Sequence, residues 1–218
     1  QKNRLLSAEN AEPFLKAVGI MTSDGKIRAD MQRKFKQINE YLRLVDETDS
    51  FRQGSTQAFQ ALSGQPIHVV DFGCGNAYLT FAIYYYLHDI LRLDAHVTGV
   101  DIKADLIESH QKKAQSLGWS QLTFVVGQIA DYKPEIIPNV VIALHACDTA
   151  TDAALDRAVR LGARVILAVP CCQHELLGQL ESAALEPLLR HGVMRERFAA
   201  EVTDSARARL LALCGYDV

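Results

Sequence analysis

Residues 67–75 of the chain read IHVVDFGCG, a short apolar run that ends in a carboxylate and two closely spaced glycines. An apolar run of this length predicts a β-strand that is buried on both faces. A Gly-x-Gly turn directly after such a strand lets the backbone approach a ligand closely. The stretch therefore predicts the first strand of a parallel α/β sheet, with a ligand site at the carboxyl end of that strand.

Further strands and helices alternate after this stretch. The sequence predicts helices over 76–91, 104–117 and 150–161, and strands over 96–101, 122–126, 140–144 and 164–169. This alternation with short loops is typical of a parallel sheet with helices on its faces, and ligands of such sheets bind beyond the strand ends. The residues at or just after the predicted strand ends are Asp71, Asp101, Gly127, His145 and Pro170.

The residues before the first strand have a different pattern. We expect residues 1–64 to form an N-terminal helical extension and residues 65–218 to form the α/β domain. Apolar residues recur at helical spacing from Asp30 to Asp46, which predicts one helix there.

Composition narrows the class of protein. The chain has 218 residues, of which 49% are hydrophobic, and a formal net charge of −3. No apolar run approaches the roughly 20 residues that a membrane span needs, and no overall positive charge attracts nucleic acid. The five cysteines are odd in number and lack the spacing of a disulfide framework, so we expect a reduced protein of the cytoplasm.

The residues around the glycine turn favour one class of cofactor. Tyr78 stands where a dinucleotide-binding turn has its third glycine, and Asp71 would repel a pyrophosphate, so both disfavour NAD. S-Adenosylmethionine instead carries a sulfonium and an ammonium group, which a nearby carboxylate favours. Asp101 ends the second strand and can accept hydrogen bonds from both ribose hydroxyls, or else cap the helix that follows. Gln128 follows the third strand, where it can bind adenine or lie in a solvent-facing loop.

Residues 71–80, DFGCGNAYLT, resemble motif I of the class I S-adenosylmethionine-dependent methyltransferases. LHACDTATD at 144–152 and VPCCQHEL at 169–176 resemble a narrower family, which includes methyltransferase-like proteins and the C-terminal half of a glutathione-transferase-C-domain protein. The order of these motifs is also similar to that of tRNA 2′-O-methyltransferases, and the helix at 33–39 resembles the family's pre-domain helix. Two positions depart from the family: Asp148, where many members have glycine, and Gln128, where an acidic residue is usual.

The resemblance, which covers about residues 30–218, implies a Rossmann-like fold and S-adenosylmethionine as the cofactor. It also implies a final antiparallel β-hairpin. A helix predicted over 204–214 runs into residues 215–218, which resemble the start of a sixth strand, so we expect the hairpin to follow these residues or to be missing from this sheet. The cofactor-binding residues that we predict are Asp71, Gly73, Cys74, Gly75, Asn76, Asp101, Ile102, Gln128, Ile129 and His145.

A group of polar residues follows the fourth and fifth predicted strands: His145, Cys147, Asp148, Cys171, Cys172 and His174. Since these strands are expected neighbours, the group should meet where a methyl acceptor enters. His145 and Asp148 are the candidate catalytic residues, because an alcohol nucleophile must lose a proton. Taken singly, Asp148 can be a helix cap and the cysteines small buried residues. A zinc ion could instead be held by Cys147, by either Cys171 or Cys172, and by His174. We disfavour this alternative, since two adjacent cysteines do not easily bind one ion together.

Local basic groups suggest the acceptor. Arg33, Lys34 and Lys36 lie on one predicted helix, and four arginines, at positions 195, 197, 207 and 209, lie near the C-terminus. Together with the likeness to tRNA enzymes, they favour RNA as the methyl acceptor. A small-molecule or protein acceptor, and a catalytically silent S-adenosylmethionine-binding module, stay open as alternatives.

Overall fold

We describe the fold from a computed structural model, which describes residues 5–7, 9–47, 66–144, 146–170 and 173–218. Its five strands form one sheet in the order β3-β2-β1-β4-β5, and every neighbouring pair is parallel. The predicted fold class is confirmed, and each predicted strand agrees with an observed strand to within one residue at either end. The strands are β1 (Ile67–Phe72), β2 (Ala95–Asp101), β3 (Leu122–Val126), β4 (Val140–Ala143) and β5 (Val165–Ala168).

Helices lie between and beside these strands. A 3₁₀ turn at Ala29–Met31 precedes the second helix, and a π-helical turn at Tyr86–Ile90 continues the third. None of the described helices is long and apolar enough to cross a membrane. The helices are α1 (Glu12–Ala17), α2 (Gln32–Glu47), α3 (Tyr78–Tyr85), α4 (Ala104–Ser116), α5 (Thr149–Arg160), α6 (Glu175–Gln179), α7 (Glu186–Leu189) and α8 (Gly192–Leu213).

The strand order creates a point where a ligand can enter. The chain runs outward from β1 through β2 to β3, then crosses to the other side of β1 to form β4 and β5. In open parallel sheets, the loops after the two strands at such a reversal leave a crevice at the carboxyl edge. The crevice here lies between the loops that follow β1 and β4.

Helix α3 packs in the interior, where α2 and strand β2 both contact it. Seven of its eight residues are buried, and α2 contacts it through a stripe of apolar side chains at helical spacing. The N-terminal helices and the sheet therefore share one hydrophobic core. The domain boundary predicted after residue 64 falls within 48–65, outside the described residues. The buried residues of α2 are Phe35, Ile38, Tyr41, Leu42 and Val45.

The C-terminal residues correct one expectation. We predicted that residues 215–218 begin a sixth strand, but they have no regular secondary structure. Gly215, with a φ of 92°, ends α8 in a Schellman motif: its N–H binds the carbonyl of Ala212, and the Tyr216 N–H binds that of Leu211. The Tyr216 hydroxyl then donates to the carbonyl of Ala163 at 2.5 Å. The backbone N–H groups of Gly215 and Tyr216 are thus bound to the end of the helix and do not pair in a strand.

Candidate functional site

The turn after β1 is held against β2 by backbone hydrogen bonds. The N–H groups of Gly73 and Cys74 both donate to the carbonyl of Val100, at 2.8 and 3.1 Å. Gly73 and Gly75 adopt φ angles of 69° and 51°, which favour glycine because a side chain would strain the backbone. The predicted close-approach turn is therefore present, and it leads into α3.

Asp101, at the end of β2, fixes the far side of the same turn. Its Oδ2 accepts a hydrogen bond from the Gly75 N–H at 2.8 Å, and its Oδ1 accepts one from the Lys103 N–H at 3.0 Å. The alternative that Asp101 caps the next helix does not hold, since Lys103 occupies the cap position of α4 and no side chain caps that helix. Each carboxylate oxygen has two acceptor sites, so both keep one for a ligand.

His110 is a further contact of the turn, which we did not predict. It lies on the buried face of α4, and its Nε2 is 2.8 Å from the carbonyl oxygen of Gly75. A carbonyl can only accept, so Nε2 carries the proton and donates. Burial lowers the pKa of His110, which keeps the ring neutral at physiological pH. Asp101 thus binds the N–H of Gly75, and His110 binds its C=O.

A cleft of about 300 Å³ opens on this turn at the reversal of strand order. It brings together five predicted cofactor-binding residues: Asp71, Gly73, Cys74, Gly75 and Asn76. The cleft also has lining residues that we did not predict to contact a ligand, and these are Lys34, Ala77, Tyr78, Leu79 and Leu144.

Asp71 is the buried carboxyl group of the cleft. Its side chain is almost fully buried, and Oδ2 accepts a hydrogen bond from the Thr80 hydroxyl at 2.5 Å. Burial raises the pKa of this carboxyl to about 7, although the Thr80 hydrogen bond lowers it. Burial also raises the pKa of the Cys74 thiol, so the thiol stays neutral and packs as an apolar group.

The other predicted cofactor residues flank Asp101 rather than line the cleft. Ile102 is 67% exposed, and Gln128 is exposed as well. Ile129 is half-buried and packs against the core beneath the sheet. The Gly127 N–H donates to the carbonyl of Asp101 at 3.0 Å. The turn after β3, which contains Gln128 and Ile129, therefore lies beside the end of β2.

The turns after β4 and β5 are joined by Asp148. Its Oδ1 accepts hydrogen bonds from the backbone N–H groups of His174 and Glu175, at 3.1 and 3.2 Å, at the start of α6. Asp148 therefore caps α6, and not the α5 helix that it directly precedes. The predicted catalytic residue His145 lies outside the described residues, as do Cys171 and Cys172.

Metal ligands do not converge in the part of the chain that the structure describes. No group of three His, Cys, Asp or Glu residues there is arranged to hold an ion. Cys147 is exposed, and so is His174. The zinc alternative thus gains no support from the members that are described.

Arg207 has a structural role, and this contradicts our prediction that it contacts nucleic acid. Its side chain is only 8% exposed and binds Asp152 through two hydrogen bonds, at 2.8 and 2.9 Å. It also donates to the carbonyl of Asp148 and to Asp204, so it ties α8 to α5. Arg195 likewise donates to a backbone carbonyl, that of Leu180, at 2.8 Å.

The chain matches the model of a protein family. The model of a family described as "Methyltransferase domain" matches residues 33–179, more than half of the chain. That range begins within α2 and ends with α6, so it contains the glycine turn, Asp101 and the cleft. No curated protein matches the chain.

Comparison with solved structures gives distant likenesses. Geranyl diphosphate methyltransferase in complex with SAM has a TM-score of 0.47 and 18% identity, covering 72% of this chain and 58% of that chain. The CMeT domain of the citrinin polyketide synthase has a TM-score of 0.41 and 13% identity, covering 68% of this chain and 38% of that one. The bifunctional kinase-methyltransferase WbdD has a TM-score of 0.43 and 18% identity, covering 63% and 30%. The chain thus spans less than two thirds of the length of each.

Proposed function

Because the chain belongs to the family of methyltransferase domains, we propose that it transfers the methyl group of S-adenosylmethionine to a nucleophile of an RNA acceptor. S-Adenosylmethionine is the cofactor of this domain, and when bound it supplies an electrophilic methyl group on a sulfonium centre. The observation that carries the proposal is the cleft, where the buried carboxylate of Asp71 lies beside the glycine turn that Asp101 anchors.

The residues present fit this cofactor by their charge. A buried carboxylate at the end of β1 would repel a phosphate, whereas it attracts an ammonium or a sulfonium group. We assign Asp71 to this cationic end and the free acceptor sites of Asp101 to the ribose hydroxyls. Gln128 and Ile129 then flank the adenine side, because their turn lies beside Asp101.

Positioning is the main task of the protein in this reaction. Methyl transfer is a displacement at carbon, and its rate depends on holding the nucleophile in line with the leaving group. The turn is pre-organised for this, since Asp101 and His110 fix both polar groups of Gly75 before any ligand binds.

An alcohol nucleophile also needs a proton acceptor. Among the described residues, none binds Oδ2 of Asp148, so this oxygen is available to accept a hydrogen bond from an acceptor hydroxyl. His145, three residues earlier in the sequence, is the second candidate base. We propose that one of these two residues removes the proton.

Support for RNA as the acceptor comes from α2 and from the later sequence motifs. Arg33 and Lys36 are exposed on this helix, beside the residue through which α2 reaches the cleft. Arg207 and Arg195 do not add to it, since both are bound within the protein. The likeness of 144–152 and 169–176 to tRNA 2′-O-methyltransferases points to a ribose hydroxyl.

The acceptor is tested by transfer of a tritiated methyl group to tRNA, protein and metabolite fractions. We expect label in tRNA. Arg33→Glu combined with Lys36→Glu should weaken tRNA binding and reduce the salt slope of log K by about 2, the value for two lost phosphate contacts. Lys112→Glu, at an exposed lysine of α4, is the matched control. Label only in protein or metabolites would contradict RNA, and cofactor binding without label in any fraction would indicate a silent module.

A further inference from the structure

Lys34 is a basic residue inside the cleft rather than on an outer face. It is half-buried on α2 and lines the cleft together with the glycine turn and Asp71. Its ammonium nitrogen lies 5.6 Å from the centre of the Tyr78 ring, within the range of a cation–π contact. It also donates to Oε1 of Gln37 at 2.8 Å. These two contacts hold the charge at the wall of the cleft.

No carboxylate in the described part of the chain forms an ion pair with Lys34. Arg43, farther along the same helix, differs in this respect because it pairs with both Glu40 and Glu47. Tyr78 and Gln37 are neutral partners, so they leave the charge of Lys34 uncompensated. An uncompensated ammonium group in a cleft attracts an anion.

The start of α3 adds a second source of positive potential at the same wall. Tyr78 is the first residue of this helix, and it lines the cleft beside Lys34. The first N–H groups of a helix have no partner within the helix, and the helix dipole places partial positive charge there. Lys34 and the start of α3 therefore favour the same anion.

The cleft thus has a carboxylate and an ammonium group of its own, which do not pair with each other. An α-amino acid carries the complementary pair, an ammonium and a carboxylate on one carbon atom. We propose that Lys34 binds the carboxylate of the methionine part of the cofactor, while Asp71 faces its ammonium group. The proposal rests on the proposed cofactor site, and it assigns Lys34 to the cofactor rather than to RNA.

Two ligands that differ only in the carboxylate test this assignment. S-Adenosylhomocysteine has it, and the decarboxylated analogue, an adenosyl thiopropylamine, lacks it. Calorimetry on the full chain should show that Lys34→Gln loses about tenfold or more in affinity for S-adenosylhomocysteine, the factor for one charge-assisted hydrogen bond. Its affinity for the analogue should stay at the wild-type value. Lys36→Gln, an exposed lysine on the same helix, is the matched control and should change neither.

The wild-type protein gives an independent measurement. It should bind S-adenosylhomocysteine more tightly than the analogue, by about the same factor that Lys34→Gln loses. Equal loss for both ligands in Lys34→Gln, or loss of tRNA binding alone, would overturn the assignment. If the carboxylate preference holds but no fraction accepts methyl groups, the role of Lys34 stands and the proposed transfer reaction fails. If the wild-type protein binds neither ligand, both fail.

Discussion

Replacing Asp71 by asparagine should stabilise the protein in mild alkali and weaken its cofactor site. The folded protein keeps the Asp71 proton up to a pKa of about 7, because the carboxyl is buried, whereas the ordinary value is 3.8. Between these values the folded state binds more protons than the unfolded state, so the free energy of unfolding decreases as pH rises. Asparagine has no such charge, and its Oδ1 can still accept the Thr80 hydrogen bond.

The size of the effect follows from the shift. A difference of about three pKa units corresponds to about 4 kcal/mol in total, of which about 3 kcal/mol develops between about pH 5 and pH 8. Urea unfolding of both proteins at these two pH values isolates the contribution of Asp71, since all other titrating groups are shared. We expect Asp71→Asn to gain about 3 kcal/mol relative to the wild type between the two conditions. A difference that stays constant with pH would refute the buried, protonated carboxyl.

Cofactor affinity should rise with pH, whereas the free energy of unfolding falls with pH. An ammonium or sulfonium group near Asp71 favours the ionised carboxylate, so binding releases its proton. Wild-type affinity for S-adenosylhomocysteine should therefore rise as pH increases toward 7 and level off above it. Asp71→Asn should bind about tenfold or more weakly at about pH 8, and its affinity should lack this pH dependence. Affinity that is unchanged in Asp71→Asn would contradict the proposed role of the carboxylate.

Three further substitutions test other buried polar side chains. Tyr41→Phe removes a buried hydroxyl that has no partner among the described residues, so stability should stay constant or rise by about 1 kcal/mol; a clear loss in urea unfolding would show a hidden partner. His110→Phe removes the hydrogen bond to the Gly75 carbonyl and should weaken S-adenosylhomocysteine binding by about three- to tenfold in calorimetry, whereas unchanged affinity would mean that the turn holds its shape alone. Arg207→Met leaves Asp152 without its bidentate partner and should lower the free energy of unfolding by about 1–3 kcal/mol; loss of tRNA binding without loss of stability would restore Arg207 as an RNA contact.

The sheet could be predicted because its signals are local. β1 and β4 are short apolar runs, and each lies buried in the centre of the sheet, where no polar face interrupts the pattern. Gly118 and Gly162, which we predicted to end two helices, both have φ angles near 70° just after α4 and α5. Where a residue's neighbours in the sequence decide its conformation, the sequence is sufficient to predict that conformation.

The starts of two helices were harder to predict. α8 begins at Gly192, twelve residues before the helix that we predicted, because it has no marked apolar stripe to reveal its extent. The predicted helix over 76–91 begins only at Tyr78, since Ala77 adopts a left-handed φ of 56°.

Some residues of the candidate site could likewise be predicted from the sequence, and others could not. Asp71 and the glycine turn are contiguous in the sequence, so their meeting could be predicted, and Asp101 follows from the strand order. His110 reaches Gly75 across 35 positions, and only the packing of α4 on the sheet brings the two together. Lys34 reaches the cleft only because the apolar stripe of α2 packs against α3.

This placement of Lys34 changes how the acceptor must be tested. Arg33, Lys34 and Lys36 look equivalent in the sequence, and reversing all three charges is the obvious experiment. Yet Lys34 lines the cleft, while Arg33 and Lys36 are exposed on the outer side of the helix. A triple reversal would place a carboxylate beside the cofactor's own carboxylate and weaken cofactor binding, so a loss of methylation would say nothing about RNA. Reversing Arg33 and Lys36 alone leaves the cleft intact, and any loss of tRNA binding then reports on the outer face of α2.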